Sequence, residues 1–389
     1  MRRELRDPRP DYLQKVEQLG LLYHTFDDKP YWYESAAYVF EADEISELES
    51  ATNTLHNLCL EAVEWVVTNR RYGLLSIPEN LWKPIEQSWE RNPPAIYGRF
   101  DLVFDGQSPP SMLEYNADTP TSLLEAAVVQ WHWLQDVSPQ ADQFNSIWEG
   151  LVEKWGELKS EGYFSSGLVH FGCMEEPEDL MTTAILMDTA TEAGLKVHLL
   201  DMRDIGWHDL DFRFVDDEAR PMDTLFKLYP WEWLLSEEFG DYALKSFSTM
   251  DWIEPIWKMV LSNKGILAVL WSLFPGHENL LPAYLDGPRD LEAFVEKPIL
   301  GREGANVRIV NRLGETCSDG DYGDCPTVFQ AYRALPVFEG NHAVIGSWVI
   351  DGSARGIGVR ESDGPITQDL ARFVPHYFTP NLAWDMMEP

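Results

Sequence analysis

The sequence predicts a mixed α/β (α+β) fold, and three stretches carry that expectation. Residues 97–116 alternate apolar and polar side chains on either side of a turn, residues 167–201 read strand–helix–strand, and residues 293–361 hold several short strands. Strand-then-helix alternation implies a partly parallel sheet, whereas closely spaced strands with turn residues imply antiparallel pairing.

In chain order, Tyr31-Trp32-Tyr33-Glu34 forms an aromatic strand or turn. A long helix is expected from Ala42 to Arg70, with Ile45, Leu48, Ala51, Leu55, Leu58, Ala62, Trp65 and Val66 at helical spacing. His56 and Cys59 fall inside it and read as packed residues. Pro93-Pro94 ends this part. In the next stretch Phe100, Leu102 and Phe104 alternate with polar residues, as do Met112 and Tyr115 around Asp105-Gly106-Gln107-Ser108, which predicts a hairpin. Thr119 is placed to cap a helix running to Leu134, with Pro120 at its first position. Gly167 to Gly172 reads as a buried strand, Pro177 to Ala193 as a helix ending at Gly194, and Lys196 to Asp201 as the next strand. No GxGxxG follows the first strand, so a dinucleotide fingerprint is lacking. Cys173 ends that strand and reads as inert. Trp252 to Phe274 is expected to be helical. Strands at 293–298, 307–310, 328–332, 342–350 and 356–360 are expected to complete one sheet, and the Pro-rich residues after Phe378 to be loose. The chain divides into a mixed part (1–95), a hairpin and α/β region (96–250) and a nucleotide-binding lobe (251–389).

Composition narrows the function. The chain has 389 residues, is 44% hydrophobic with 16 Trp, and carries a net charge of −35. Such an acidic chain is repelled by phosphate backbones, so nucleic acid is not an expected partner. The same charge could concentrate a cationic small molecule. No apolar run reaches 18 residues, so no membrane span is expected. The start, Met1-Arg2-Arg3-Glu4-Leu5-Arg6, lacks an apolar core, so no signal peptide is expected and the cytoplasm is the default. Four scattered cysteines form no zinc pattern; Cys317 and Cys325 could meet across a hairpin, but reduced thiols are simpler.

The chemistry concentrates in a few positions. Asp101 and Glu114 can give carboxylate oxygens, and Asn116 a carbonyl oxygen, to Mg²⁺, which prefers oxygen ligands and substrate phosphates. Arg99, two residues from Asp101, shares its face in a strand and can grip a carboxylate or phosphate. An ordinary surface hairpin with a salt bridge would carry the same residues. Lys297, on a strand, can neutralise phosphates, and the loop Gly301-Arg302-Glu303-Gly304-Ala305-Asn306 can approach and cover them. Lys264 adds a second lysine. Gln330 marks a strand able to hold an adenine edge through its main chain. Arg360 can stabilise charge on a transferred γ-phosphoryl.

Taken together, these residues make the chain resemble the synthetase domain of the glutathionylspermidine synthase family, most closely its stand-alone bacterial members. The likeness rests on Arg99-Phe100-Asp101, Leu113 through Ser122, Leu225-Phe226-Lys227-Leu228-Tyr229-Pro230-Trp231-Glu232, Ser262-Asn263-Lys264, Lys297-Pro298-Ile299, Arg302 through Val307 and Gly356 through Glu361. It implies an ATP-grasp fold with an associated pre-ATP-grasp α/β domain, and ATP-dependent amide formation through an acyl phosphate. The cofactors implied are ATP and Mg²⁺, and the partners a small acid, peptide- or glutathione-like, and a polyamine-like amine. The metal positions of the family fall on Asp101, Glu114 and Asn116. Its catalytic arginines fall on Arg99 and Arg360, and its nucleotide contacts on Arg99, Lys264, Lys297, Gly304, Gln330 and Arg360. No amidase activity is expected, because bifunctional members carry a further Cys/His amidase domain for which this chain has no room. Two other readings stay open: a nucleotide-binding regulatory protein without turnover, and an ATP-dependent phosphotransferase.

Overall fold

A computed structural model describes residues 1–368 and 371–379. The expectation for the tail beyond Phe378 falls, from residue 380 onward, outside the described residues.

The expected hairpin forms, but inside a larger sheet. Its neighbours run Arg372–Val374, Ser353–Ser362, Asn341–Ile350, Tyr97–Val103 and Ser111–Asn116, all antiparallel, and Val337–Phe338 pairs alongside Asn341–Ile350. Asp101 stands directly opposite Glu114, and Arg99 opposite Asn116, with an irregularity between Asp101 and Leu102. Phe100 and Tyr115 are also opposite each other and stack at 3.9 Å on the other face. Such a pair contributes about 0.5–1.5 kcal/mol beyond the area it buries. The turn is set by Asp105, whose carboxylate accepts the Gln107 and Ser108 amides. This is not a surface hairpin: Arg99 and Asp101 are each only 7% exposed.

The helix Ala42–Thr68 covers one face of this sheet, starting at a capping box between Glu41 and Glu44. Ile45, Leu48, Ala51, Leu55, Ala62 and Val66 are buried as their spacing predicts. Thr52 meets Ser347 of the sheet at 2.7 Å in the buried interface. The opposite face is covered by Glu125–Val129, Gln130–Val137 and Ile147–Ser160. The first of these corrects the predicted start at Thr119. Helical winding begins only at Leu123, because Ser122 has φ +66° and the carbonyls before it are taken by side chains. Tyr97 Oη donates to the Pro120 carbonyl and Arg99 Nη1 to that of Thr121.

The strand–helix–strand unit is present as read: Leu168–Cys173, Pro177–Glu192 and Lys196–Asp201, with Gly194 at φ +81° just past the helix. It belongs to a four-stranded parallel sheet in the order Asp251–Ile253, Thr224–Lys227, Leu168–Cys173, Lys196–Asp201.

Two expectations fail for identifiable reasons. The stretch from Trp252 to Phe274 opens as a strand, continues as the short 3₁₀ helix Ile256–Val260, and is α-helical only over Ile266–Leu273. Pro255 cannot donate a helical hydrogen bond, and the Asn263 side chain bonds the Leu75 carbonyl and the Gly265 amide instead of continuing a helix. The late strands also split into two sheets. Phe294–Pro298, Arg308–Asn311 and Thr327–Ala331 lie in a five-stranded antiparallel sheet with Ala283–Tyr284 and Gly314–Cys317. Asn341–Ile350 and Ser353–Ser362 instead join the hairpin, because residues 343–350 are buried on both faces and the strand Tyr97–Val103 supplies the second edge.

Cys59, Cys173, Cys317 and Cys325 are unpaired. Burial raises the Cys173 thiol to about 11, which fits an inert side chain. Among the described residues no helix is long and apolar enough to cross a membrane.

Candidate nucleotide and substrate site

The hairpin sheet and the five-stranded sheet face each other across a narrow slot of about 110 Å³. Leu113, Val295, Val307, Ile309, Leu335 and Val344 give it apolar walls. Buried hydrogen bonds pin the sheets together. Lys297 Nζ donates to the Leu113 carbonyl (3.0 Å) and to Gln330 Oε1 (2.9 Å), and Gln330 Nε2 donates to the Met112 carbonyl (2.9 Å). Gln330 lies within the strand Thr327–Ala331, as its residue pattern predicts, and its side chain orients Lys297.

At the slot's mouth the predicted residues converge. Asp101 accepts from Arg99 Nε at 3.0 Å and pairs with Arg360 Nη2 at 2.5 Å. Glu114 pairs with Lys264 Nζ at 3.2 Å and accepts from Asn116 Nδ2 at 3.3 Å. Lys264 also donates to the Gly301 carbonyl at 2.6 Å, tying it to the glycine loop. Burial alone would raise the Glu114 carboxyl, but the charges of Lys264 and Lys297 and two hydrogen bonds outweigh it and hold it at about 2. Lys297 moves the other way: burial, then repulsion from Lys264, lowers it to about 8, against the pull of Glu114 and Asp101. Two carboxylates among four cations leave this mouth net positive, which suits a polyanion.

Beyond the mouth opens a chamber of about 680 Å³. Arg99, Arg360, Asp101 and Glu114 are among the residues that line it. Glu176, Glu178, Asp179 and Glu303 also line it, with Tyr23, Phe26, Tyr31 and Trp233. Burial, then repulsion from Glu178, Glu176 and Glu303, raises the Asp179 carboxyl to about 7. Below the floor, Glu125 accepts from Tyr31 Oη at 2.7 Å, and burial raises it to about 7 as well. Glu125 opens a π-helical turn, an irregularity frequent at functional sites.

The loop 301–306 lies over both spaces, since Arg302 and Gly304 line each. Arg302 donates to Thr119 Oγ1 (2.9 Å) and pairs with Glu232 (2.7 Å). Gly304 is at φ +69°, and a Cβ there would meet the Thr367 carbonyl at 2.5 Å. Gly304→Ala is therefore expected to push the loop off residues 366–367 and raise the KM for ATP several-fold with little loss of global stability. Hydrogen exchange across 301–306, with and without an ATP analogue, checks this: the loop should gain protection on binding in the wild type and less in the variant.

Sequence reasoning missed several neighbours. The buried pair Lys227–Asp118 (2.7 Å) braces the hairpin against the parallel sheet. Its residues lay in recognised motifs, but nothing in one sequence pairs positions so far apart. The acids at 176–179 follow the strand Leu168–Cys173, the edge at which α/β sheets commonly bind ligands, and that was a usable signal.

The donor set fits the group expected there. Asp101, Glu114 and Asn116 offer hard oxygens from facing positions of one strand pair, as Mg²⁺ with nucleotide phosphates requires. Each carboxylate is held by a protein cation, so its position is fixed without a metal.

Residues 3–379 match the family model described as "Glutathionylspermidine synthase preATP-grasp". The chain is 40% identical, over 96% of its length and 98% of the relative's, to a Haemophilus influenzae protein described as "Putative acid--amine ligase". It is 28% identical to trypanothione synthetase of Crithidia fasciculata, over 80% of this chain and 52% of that protein. It is 25% identical to the bifunctional glutathionylspermidine synthetase/amidase of Escherichia coli, over 89% of this chain and 59% of that protein. The resemblance drawn from the motifs is borne out, as is the mixed α/β, pre-ATP-grasp fold. The chain belongs to the glutathionylspermidine synthase preATP-grasp family.

Proposed function

We propose that this chain is an ATP-dependent ligase that joins a carboxylic acid to an amine through an acyl phosphate. Family membership and the ligase and synthetase relatives support the reaction class. The observation that carries the finer reading is the pairing of Asp101 with Glu114 beside Arg99, Arg360, Lys264 and Lys297, where an apolar slot opens into a charged chamber.

The slot takes the adenine, with Gln330 holding Lys297 in place. Lys264 and Lys297 hold the phosphates, and the loop 301–306 covers them. Asp101, Glu114 and Asn116 would hold Mg²⁺, which would supply charge neutralisation on the phosphates. A substrate carboxylate oxygen attacks the γ-phosphorus, and the bond to the bridging oxygen of ADP breaks. Arg99 and Arg360 stabilise the charge spread over the transferring group, because phosphoryl transfer is mostly positioning and electrostatics. The amine nitrogen then attacks the acyl carbon, phosphate leaves, and the nitrogen gives up a proton. Closure of the loop excludes water, which would hydrolyse the acyl phosphate.

The acid enters on the arginine side and the amine on the acidic side. Glu176, Glu178, Asp179 and Glu303 fit a cationic amine of polyamine type, and a glutathione-like peptide fits as the acid. Supplying glutathione or a small peptide with spermidine and ATP should yield a new amide by mass spectrometry, with ADP and phosphate released only when both substrates are present. A phosphorylated product would favour a phosphotransferase, and nucleotide binding without any product a regulatory role. Amides formed only with neutral amino acids would remove the polyamine assignment.

The wall also sets a pH dependence. Asp179 titrates at about 7, so its carboxylate is present above that pH and lost below it. The KM for a cationic amine should therefore rise as pH falls from 8 to 6, while the KM for ATP should move the other way, because Lys297, lowered to about 8, gains its proton over the same range. Asp179→Asn should raise the amine KM at pH 8 and flatten its dependence. An unchanged profile in that variant would count against the assignment.

A further inference from the structure

The ligase reading leaves one step without a partner. The nitrogen that attacks the acyl carbon must lose a proton, and no group in the steps above takes it. The chamber acids Glu176, Glu178 and Asp179 are poor acceptors, because a proton passed to them would cancel the charge that holds a cationic amine. Among the described residues no histidine lines the chamber.

One hydrogen-bonded chain does lead out of it. Tyr31 and Ser122 both line the chamber, and Glu125 does not. Tyr31 Oη is 3.1 Å from Ser122 Oγ and donates to Glu125 Oε1 at 2.7 Å. Tyr31, Ser122 and Glu125 are 4%, 5% and 2% exposed, so the carboxylate is shielded from bulk water and is reached through the phenol.

A buried Tyr–Glu hydrogen bond alone is ordinary packing. This one opens beside a proposed catalytic group: Ser122 follows Thr121, whose carbonyl accepts Arg99 Nη1 at 2.6 Å. The backbone is irregular at both of its neighbours, since Ser122 holds φ +66° and Glu125 opens the π-helical turn. Such departures cluster at functional sites. Burial, opposed by the Tyr31 hydrogen bond, holds the Glu125 carboxyl at about 7, with Glu178 raising it and Arg99 lowering it. A carboxylate poised there can take up a proton at neutral pH and give it back.

We propose that Tyr31 and Glu125 form the relay that removes the proton from the attacking amine, a role that rests on the ligase reading. As the C–N bond forms, the nitrogen becomes acidic. Its proton passes to Tyr31 Oη while the phenolic hydrogen passes to Glu125 Oε1, which leaves a restored phenol and a neutral carboxylic acid. The proton returns to water by the same path once the amide has left. Ser122 keeps the phenol aligned, and Glu125 acts through Tyr31 without touching substrate.

Glu125→Gln and the milder Tyr31→Phe test this with glutathione, spermidine, ATP and Mg²⁺. Each should lower kcat for amide formation by about 10²-fold, the low end of what general acid–base catalysis supplies, with the KM for spermidine changed by less than about twofold. Acyl phosphate formation is read separately, by positional isotope exchange in ATP carrying heavy oxygen at the β,γ-bridge, with glutathione and no amine. That exchange should persist in both variants. At saturating spermidine, wild-type kcat should fall as pH drops through about 7, where the Glu125 carboxylate is lost, and this fall should vanish in Glu125→Gln. The proposal is overturned by wild-type kcat in either variant, by equal loss of exchange and amide formation, which marks a structural role, or by the same acid-side fall in Glu125→Gln. Absence of both exchange and amide in the wild type would remove the ligase reading itself, and the relay with it.

Discussion

Asp101→Asn is expected to lower Mg²⁺-dependent ATP turnover by about 10²–10³-fold, the range seen when one preorganised electrostatic group is lost from a site. The replacement keeps the shape of the side chain, so near-UV circular dichroism should stay native. It removes one of the two negative charges among Arg99, Arg360, Lys264 and Lys297. Two consequences follow. A proposed metal ligand is weakened, and both arginines lose the anion that aims them into the chamber. Glu114→Gln should behave similarly, since Glu114 is directly opposite on the partner strand. ADP release at saturating ATP and Mg²⁺ measures the effect. Wild-type turnover in either variant would remove the metal assignment.

The largest stability effect is expected at Asp118. Its carboxylate holds Lys227 Nζ at 2.7 Å and accepts the Trp231 amide at 3.1 Å, and the two side chains are 1% and 0% exposed. Asp118→Ala leaves an ammonium buried beside the Tyr229 carbonyl and the Trp231 ring without its carboxylate partner. Breaking such a pair from one side costs about 3–5 kcal/mol, because the remaining charge is uncompensated. Replacing both members by apolar residues of similar volume is often near neutral. Asp118→Leu with Lys227→Met should therefore recover much of the loss, which denaturant unfolding of the single and double variants will show. If the single variant unfolds at the wild-type midpoint, the pair does not brace the hairpin.

Periodicity made the helix Ala42–Thr68 and the unit from Leu168 to Asp201 legible, since each buries a face whose spacing is local to the chain. The hairpin was legible too, down to Asp101 meeting Glu114, because a short turn leaves few registers. Residue type marked Arg99, Lys264, Lys297 and Arg360 as phosphate partners, and the structure places them at one mouth.

Long-range placement was not legible. Apolar alternation shows that Asn341–Ile350 is a strand but not that it pairs with Tyr97–Val103 instead of Thr327–Ala331. Nor does it show that Thr119 to Thr121 give their carbonyls and hydroxyls to Tyr97, Arg99 and Arg302 and so delay the helix to Leu123. The sequence by itself determined the elements and the chemical types in the site, because backbone geometry and charge are properties of neighbouring residues. The tertiary structure alone decided which sheet each late strand joined, how Gln330 orients Lys297, and that Glu176, Glu178 and Asp179 share a wall with Glu303. Those outcomes depend on burial and on charges brought together from distant parts of the chain, and no local pattern encodes them.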